Sequence, residues 1–367
     1  MIKKKTNENK QPKTFGFLTI FTLCLLLFIL LASHTNLLVK LDVCAPTYQL
    51  QVEKTIEQIS NGHMISLLYD MDEDEIHYIV QKVFDQPEFF WIGHTYSRMS
   101  YGNLTVVFFK KYDKDPDVIE KKQKEIDDVV DAVINERLSA NMTDYQKALV
   151  IYDWLIQNTT YEIIDNENDQ TMYNAIVQKK SVCTGYAHAL TYMFNKVGIQ
   201  AETRCGYSLN ADGTRDEKHR WTVAYINGEP CYFDPTWDDK DDGASRFDYF
   251  GLPANLFKKS HETIPLEPWK ESVSVSTDYY RNSGRYFDQF SEQSLIDMTL
   301  ETIDNDNIAR FRYNGNPAIE NAIRTTISKP EFINTINQAT GKQYVSLQYV
   351  INQANVVEMI FSESLPS

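Results

Sequence analysis

A cysteine, a histidine and an aspartate follow one another through the middle of this 367-residue chain. Cys183 lies in Ser181-Val182-Cys183-Thr184-Gly185-Tyr186-Ala187, His219 in Lys218-His219-Arg220-Trp221, and Asp234 in Tyr232-Phe233-Asp234-Pro235-Thr236-Trp237-Asp238-Asp239. Thiol catalysis uses these three types: a sulfur nucleophile, an imidazole that takes its proton, and a carboxylate that orients the imidazole. Each alone has a blander role, as a buried small hydrophobe, a satisfied polar strand residue or a strand-end turn residue. What argues for chemistry is the sequence between them.

Asn227-Gly228 separates two strand-like runs, Trp221 to Ile226 and Glu229 to Phe233. Asn-Gly is the strongest short hairpin signal, because both turn residues need φ > 0. A two-residue turn pairs Ile226 with Glu229. Counted outward, Trp221 then faces Asp234, and His219 faces Thr236. Side chains alternate along a strand, so His219 and Asp234 share a face as diagonal neighbours roughly 7–8 Å apart. A slip of one residue would put them on opposite faces.

Cys183 stands where a helix should begin. Tyr186, Ala187, Leu190, Met193, Phe194 and Val197 keep helical spacing, and Gly198 closes the run. A thiol in the first turn of a helix feels the positive end of the macrodipole. With a histidine beside it, a cysteine pKa of about 8.5 falls into the range of roughly 3.5–7.5.

Taken together, Val182-Cys183-Thr184-Gly185-Tyr186-Ala187, His219-Arg220-Trp221 and Asp234-Pro235-Thr236-Trp237-Asp238-Asp239 resemble the bacterial transglutaminase-like superfamily, whose fold is similar to papain-like thiol enzymes. The resemblance runs from about Thr143 to His261 and includes a preceding amphipathic helix and a trailing Tyr249-Phe250-Gly251-Leu252. It implies Cys183 as nucleophile, His219 as base and Asp234 as orienting carboxylate. Arg220 departs from it, since a small residue is common between the histidine and the tryptophan; it adds a cation near the site. The superfamily holds cross-linking enzymes, peptidases, other amide hydrolases and inactive members, so the resemblance bears on fold more than on reaction.

The first 33 residues carry five lysines against Glu8, a net +4, and Phe15 to Ser33 is an uncharged run of 19 residues. About 20 residues suffice to span a bilayer. The lysines precede the run, so the amino end is expected in the cytoplasm and the rest outside. A cleaved signal peptide has a shorter apolar region, of about 7–15 residues, and small residues before its cleavage site. Leu30-Leu31-Ala32 fits that poorly, so an uncleaved anchor is favoured, a secreted chain being the alternative. With the whole chain at −15 and the first 33 residues at +4, residues 34–367 carry −19. That charge argues against nucleic acid as a partner. No C-x-x-C or metal-ligand spacing occurs, so neither a metal nor another cofactor is expected. Cys205 and Cys231 fall on strands one and three of one meander, roughly 10 Å apart at about 4.8 Å per strand, and are expected as core thiols.

The fold class expected is α+β: a papain/transglutaminase-like core, with the Cys183 helix packed on an antiparallel sheet, flanked by two small β-α-β-β modules. The boundaries are 1–33 for tail and anchor, 45–112 for the first module, 113–262 for linker helix and core, and 280–364 for the second module. In the first module Met64 to Tyr69 and Leu104 to Phe109 read as strands, and Asp72 caps a helix with Ile76, Ile79, Val80 and Val83 on one face. In the second, Ile308 to Tyr313, Tyr344 to Ile351 and Val356 to Phe361 read as strands, and Asn316-Pro317 opens a helix. Pro330-Glu331-Phe332 echoes Pro87-Glu88-Phe89, which points to a degenerate repeat. Asp238, Asp239, Asp241 and Asp242 fit no calcium loop and read as a solvated turn. His188 reads as structural.

The function expected is an extracytoplasmic thiol enzyme acting on amide bonds of peptide or protein substrates, those of the cell wall among them, by hydrolysis in preference to cross-linking. The alternative is a cell-surface binding module that keeps the fold without turnover. An acetyl-transfer enzyme using a thioester cofactor fits poorly outside the cytoplasm. The backbone N–H of Cys183 is one oxyanion donor; the sequence identifies no second donor and no oligomeric state.

Overall fold

The structure is a computed structural model that describes residues 47–163, 170–239 and 246–363. The run Phe15 to Ser33 lies outside the described residues. No helix among the described residues is long and apolar enough to cross a membrane. The described chain forms two compact units. Residues up to Ile79 together with Tyr96–Phe108 make one, and Val80–Thr95 together with everything from Phe109 on make the other.

Helix α1 (Tyr48–Ser60) starts at Thr47, whose hydroxyl accepts from Leu50 N–H. It leads into β1 (Ile65–Tyr69), and the Thr55 and Ser66 hydroxyls join helix to strand at 2.9 Å. Helix α2 (Glu73–Phe84) begins where expected. Asp72 accepts from Glu75 N–H at 2.9 Å, and the Glu75 carboxylate accepts from Asp72 N–H at 2.9 Å, a reciprocal cap. All four residues of its apolar stripe are buried. Strands β2 (Ile92–Tyr101) and β3 (Leu104–Lys111) complete a sheet of order β1-β3-β2, with β1 antiparallel to β3.

Helix α3 (Pro116–Arg137) buries Ile126, Val130 and Val133. Helix α4 (Asp144–Asn158) opens on the expected capping box of Thr143 and Gln146 and buries Trp154 and Leu155, with Leu149 half-buried. A short parallel pair, β4 (Thr160–Tyr161) and β5 (Lys180–Ser181), delivers the chain to α5 (Cys183–Lys196). Tyr186, Ala189, Leu190, Met193 and Phe194 of α5 enter the largest core. The sheet beneath is β6 (Ala201–Leu209), β7 (Arg215–Ile226), β8 (Glu229–Phe233) and β9 (His261–Thr263), in the order β8-β7-β6-β9 and antiparallel throughout. Helix and sheet are fastened by Thr222, whose hydroxyl donates to Ala187 C=O at 3.0 Å and lies 3.1 Å from that of Thr191. The fold is α+β, with the cysteine helix on an antiparallel sheet as the papain/transglutaminase-like expectation requires.

The Asn227-Gly228 turn has φ of 54° and 80°, and Ile226 lies opposite Glu229 as predicted. The ladder ends with Thr222 opposite Phe233, so the expected pairing of Trp221 with Asp234 does not form. Pro235 is the reason: it has no N–H to continue a ladder and restricts the residue before it. Asp234 instead gives its N–H to Tyr249 C=O at 3.1 Å, and its Oδ1 accepts from Thr236 N–H at 3.1 Å, capping the single turn Pro235–Asp238.

The C-terminal stretch contains β10 (Tyr286–Phe287), α6 (Glu292–Thr302), β11 (Ile308–Tyr313), α7 (Pro317–Ile327), α8 (Pro330–Thr340), β12 (Tyr344–Ile351) and β13 (Val356–Glu363), with sheet order β10-β11-β13-β12. Without β10 this is the order of the first sheet, β1-β3-β2, and a helix precedes the first strand in both. The suspected repeat is thus present in topology. The tripeptide echo is looser: Pro330 opens an 11-residue helix, whereas Pro87–Phe89 is a single tight turn.

Candidate active site

The structure brings Cys183, His219 and Asp234 together. His219 Nε2 lies 2.7 Å from Asp234 Oδ2, and the Asp234 side chain is wholly buried. With Nε2 so engaged, Nδ1 is left for the Cys183 thiol, which is within hydrogen-bond reach of the ring. Cys183 is the first residue of α5 and half-buried. Val182, the cap before it, is extended and supplies no side-chain bond to the helix start. The first N–H groups of a helix have no intrahelical partner, so this end favours a negative charge.

A second histidine completes the group and was not found from the sequence. His261 Nε2 lies 3.0 Å from the same Asp234 Oδ2, and its Nδ1 is 2.9 Å from the Ser260 hydroxyl. Strand β9 carries His261 beside Ser208 of β6, and its close approach depends on Gly206. A Cβ at Gly206 would sit 2.1 Å from Glu262 C=O and 2.5 Å from the Trp221 ring. Aromatic rings wall the cluster. Phe257 stacks on His261 at 3.8 Å, and Trp237 lies 5.6 Å from the His219 ring.

These contacts set the charges. Burial pushes the Cys183 thiol up, but the His219 hydrogen bond and charge, then the Arg220 N–H and guanidinium, bring it below its ordinary value. Burial pulls His219 down, but the Asp234 charge and hydrogen bond, with Cys183, raise it to about 10. Burial pushes Asp234 up, and His219 and His261 together hold it well below the usual carboxylate range. Burial takes His261 down to about 4, so it stands neutral, donating from Nε2 to Asp234 and accepting at Nδ1 from Ser260. The sulfur and His219 therefore favour a thiolate–imidazolium pair. The other described cysteines do not share this setting. Cys205 and Cys231 are free and buried as expected, burial pushing Cys205 up to about 11 and Cys231 upward.

Arg220 does more than add a cation. It donates from Nε to Asp85 Oδ1 at 3.0 Å, from one terminal nitrogen to Gln81 Oε1 at 2.7 Å and from the other to Thr184 Oγ1 at 3.4 Å. Thr184 is the second residue of α5, so Arg220 ties the start of the cysteine helix to the end of α2. The thiol opens on a cavity of about 350 Å³ whose lining includes Gln81, His94, Lys218 and Arg220. His188, expected as structural, is buried in α5 and stacks on His94 at 6.0 Å.

The acidic run after Asp234 is not the solvated turn expected at its first two positions. Asp238 is fully buried and accepts from Asp248 N–H and Tyr249 N–H, each at 3.0 Å, and from the Tyr152 hydroxyl at 2.6 Å. Asp239 accepts from the Tyr186 hydroxyl. Their partners come from α4, α5 and a later loop, which no local pattern announces. Asp241 and Asp242 lie outside the described residues.

Residues 132–235 match the Transglutaminase-like superfamily. That stretch contains Cys183, His219 and Asp234, and the transglutaminase-like region ends one residue past the carboxylate. Among solved structures, the chain is similar to a candidate cysteine protease from Cytophaga hutchinsonii at 17% identity, covering 46% of this chain and 65% of that one, with a TM-score of 0.29. It is similar to a TGase at 12% identity, covering 50% and 53%, with a TM-score of 0.29. It is also similar to the periplasmic domain of TgpA from Pseudomonas aeruginosa, bound to ethylmercury, at 14% identity, covering 36% and 55%, with a TM-score of 0.22. The chain thus spans less than two thirds of the length of each. A search of curated proteins returns no match.

Proposed function

We propose that this protein is a thiol enzyme that cleaves or exchanges amide bonds of peptide or protein substrates, with Cys183, His219 and Asp234 as its triad. The observation that carries the reading is the His219 imidazole, held at 2.7 Å by the buried Asp234 and within hydrogen-bond reach of the Cys183 thiol at one cavity, a setting that raises the imidazole and lowers the thiol. The Cys183 thiolate attacks the carbonyl carbon, and the carbonyl electrons move to oxygen. The Cys183 N–H donates to that oxyanion. When the C–N bond breaks, His219 gives its proton to the departing nitrogen and a thioester remains. Water, or a second amine, then attacks the thioester; His219 takes the proton and Cys183 leaves as thiolate. Hydrolysis is the favoured outcome. Asp234 keeps the ring oriented and its positive charge matched.

The reading includes placement outside the cytoplasmic membrane, with Phe15 to Ser33 as the anchor. Protease added outside intact cells should then degrade the part of the chain beyond the anchor; full protection would overturn that placement. The chemistry is tested by iodoacetamide labelling of the purified ectodomain across pH, followed by mass spectrometry of the Cys183 peptide, and by a peptide screen for acyl transfer. Fast labelling of Cys183 below the ordinary thiol range supports the enzyme. Labelling that follows an ordinary cysteine, with no turnover in the screen, supports the binding module.

A further inference from the structure

The cleft differs in charge from the chain around it. The chain carries −15, yet the described residues that line the 350 Å³ cavity at Cys183 include Lys218 and Arg220 and no carboxylate. Lys218 and Arg220 stand two apart on β7, so their side chains leave the same face. Their situations differ. Arg220 is matched by the buried Asp85 at 3.0 Å and serves to fix the helix start. Lys218 is exposed, and among the described residues its side chain forms no ion pair and no hydrogen bond; Asp216, two residues back on that face, forms no ion pair either. A cation left unpaired beside a nucleophile, in a wall whose described residues include no acid, raises the local concentration of anions.

Resting on the thiol-enzyme reading, we propose that the cleft selects peptide substrates carrying a carboxylate next to the reacting amide, with Lys218 as the residue that receives it. The neighbouring groups are suited to the rest of such a segment. The Oε1 of Gln81 is held by Arg220 at 2.7 Å and lies 3.3 Å from Cys205 Sγ, which leaves its NH₂ group as a donor at the cavity. The cavity is large enough for one or two residues on either side of the bond rather than for a folded surface, so selection falls on the side chains nearest the cleaved bond.

The test has two readouts. The first needs no substrate: alkylation of Cys183 by anionic iodoacetate against neutral iodoacetamide, each displacing iodide from the same carbon, followed on the Cys183 peptide. The iodoacetate to iodoacetamide rate ratio should exceed that of a small free thiol of matched pKa and fall roughly fivefold in Lys218→Glu, where the charge near the sulfur changes by two units. High salt should shrink the difference. The second readout is kcat/KM for peptide pairs that differ only in Glu against Gln beside the cleaved bond. The acid preference should be lost in Lys218→Glu and reduced in Lys218→Gln. An alkylation ratio indifferent to residue 218, or an acid preference equal in all three proteins, overturns the proposal. Failure of the wild type to turn over either peptide counts instead against the thiol-enzyme reading, and the alkylation ratio still decides whether Lys218 draws anions to the sulfur.

Discussion

His261 and His219 meet on a single oxygen of Asp234, at 3.0 and 2.7 Å, while the other oxygen takes the Thr236 N–H. The carboxylate is thus held from three sides. Burial holds His261 towards the neutral form, Asp234 holds His219 towards the charged form, and His219 is the ring within hydrogen-bond reach of the thiol. This division of labour gives His261 a role in positioning and a measurable signature in stability.

His261 is held at about 4, against about 6.5 for an exposed histidine. Below pH 6.5 the unfolded chain binds a proton at this residue that the folded chain refuses, so stability falls as pH drops from 6.5 towards 4. For a shift of this size the loss is about 3 kcal/mol. Asp234, depressed in the folded state, adds a further loss as pH falls below the usual carboxylate value. His219 has the opposite sign: raised to about 10, its contribution is complete below pH 6.5 and lost as pH rises through 10. Urea unfolding followed from pH 6.5 to pH 4 should show the acid loss, and His261→Phe should reduce its slope, the buried His94 and His188, which burial also holds below the ordinary histidine value, accounting for the rest. An unchanged slope in that variant would mean His261 is not the group that titrates.

Substitutions at the site should fall in a definite order. Cys183→Ala and His219→Ala should abolish acyl transfer while leaving the fold intact. Asp234→Asn keeps the shape but cannot match the imidazolium; the corresponding change in a serine triad costs about 10⁴-fold, and a preformed ion pair should depend on it less. Cys205→Ala and Cys231→Ala should run near the wild-type rate. Steady-state kinetics on a screened peptide settles the order, and turnover retained in Cys183→Ala but lost in Cys205→Ala would show that the wrong sulfur has been chosen.

The turn at Asn227-Gly228 fixes which face His219 presents. One residue inserted between them either bulges out, leaving the ladder as it is, or slips β8 against β7 and parts His219 from Asp234. Activity and stability should both stay near wild type in the first case, and both should collapse in the second. Full activity in the insertion variant, with the register confirmed as shifted by NMR, would sink the argument.

Gly206→Ala should act at a distance from the sulfur. The added methyl meets Glu262 C=O at 2.1 Å, and backbone cannot yield as a side-chain tip can. The expected cost is about 1–3 kcal/mol, the usual range for overpacking, with β9 displaced and the His261 hydrogen bond weakened. A variant with wild-type urea midpoint and the same acid slope would show that β9 tolerates the methyl.

Much of the site was legible in the sequence because its determinants are local. Helix spacing after Cys183 and the Asn-Gly turn each act over a few residues, and together they place three side chains. His261 was not legible. It reaches Asp234 only because β9 pairs with β6 across some fifty residues, and a three-residue strand carries no pattern of its own. Strand β2, which the expected β-α-β-β module contains, could not be placed for a related reason: Gly93, Ser97, Arg98 and Ser100 interrupt any alternation, and most of its length is exposed. Asp238 misled because a run of acids normally faces water, and here the partners that bury it lie on other elements. The pairings expected beyond Thr222–Phe233, Trp221 with Asp234 and His219 with Thr236, do not form because Pro235 ends the ladder before Asp234.

The Arg220 bridge bears on how this protein can be cut. Gln81, Asp85 and His94 precede the first residue of the superfamily match, residue 132, by roughly forty to fifty positions, yet they buttress the cysteine helix and line its cavity. A fragment trimmed to the matched stretch would keep all three members of the triad and lose the guanidinium's anchor, the wall opposite the sulfur and His261. The unit that holds this site together is therefore longer than the stretch that matches the superfamily, and trimming the chain to residues 132–235 removes the Arg220 anchor along with the segment before them.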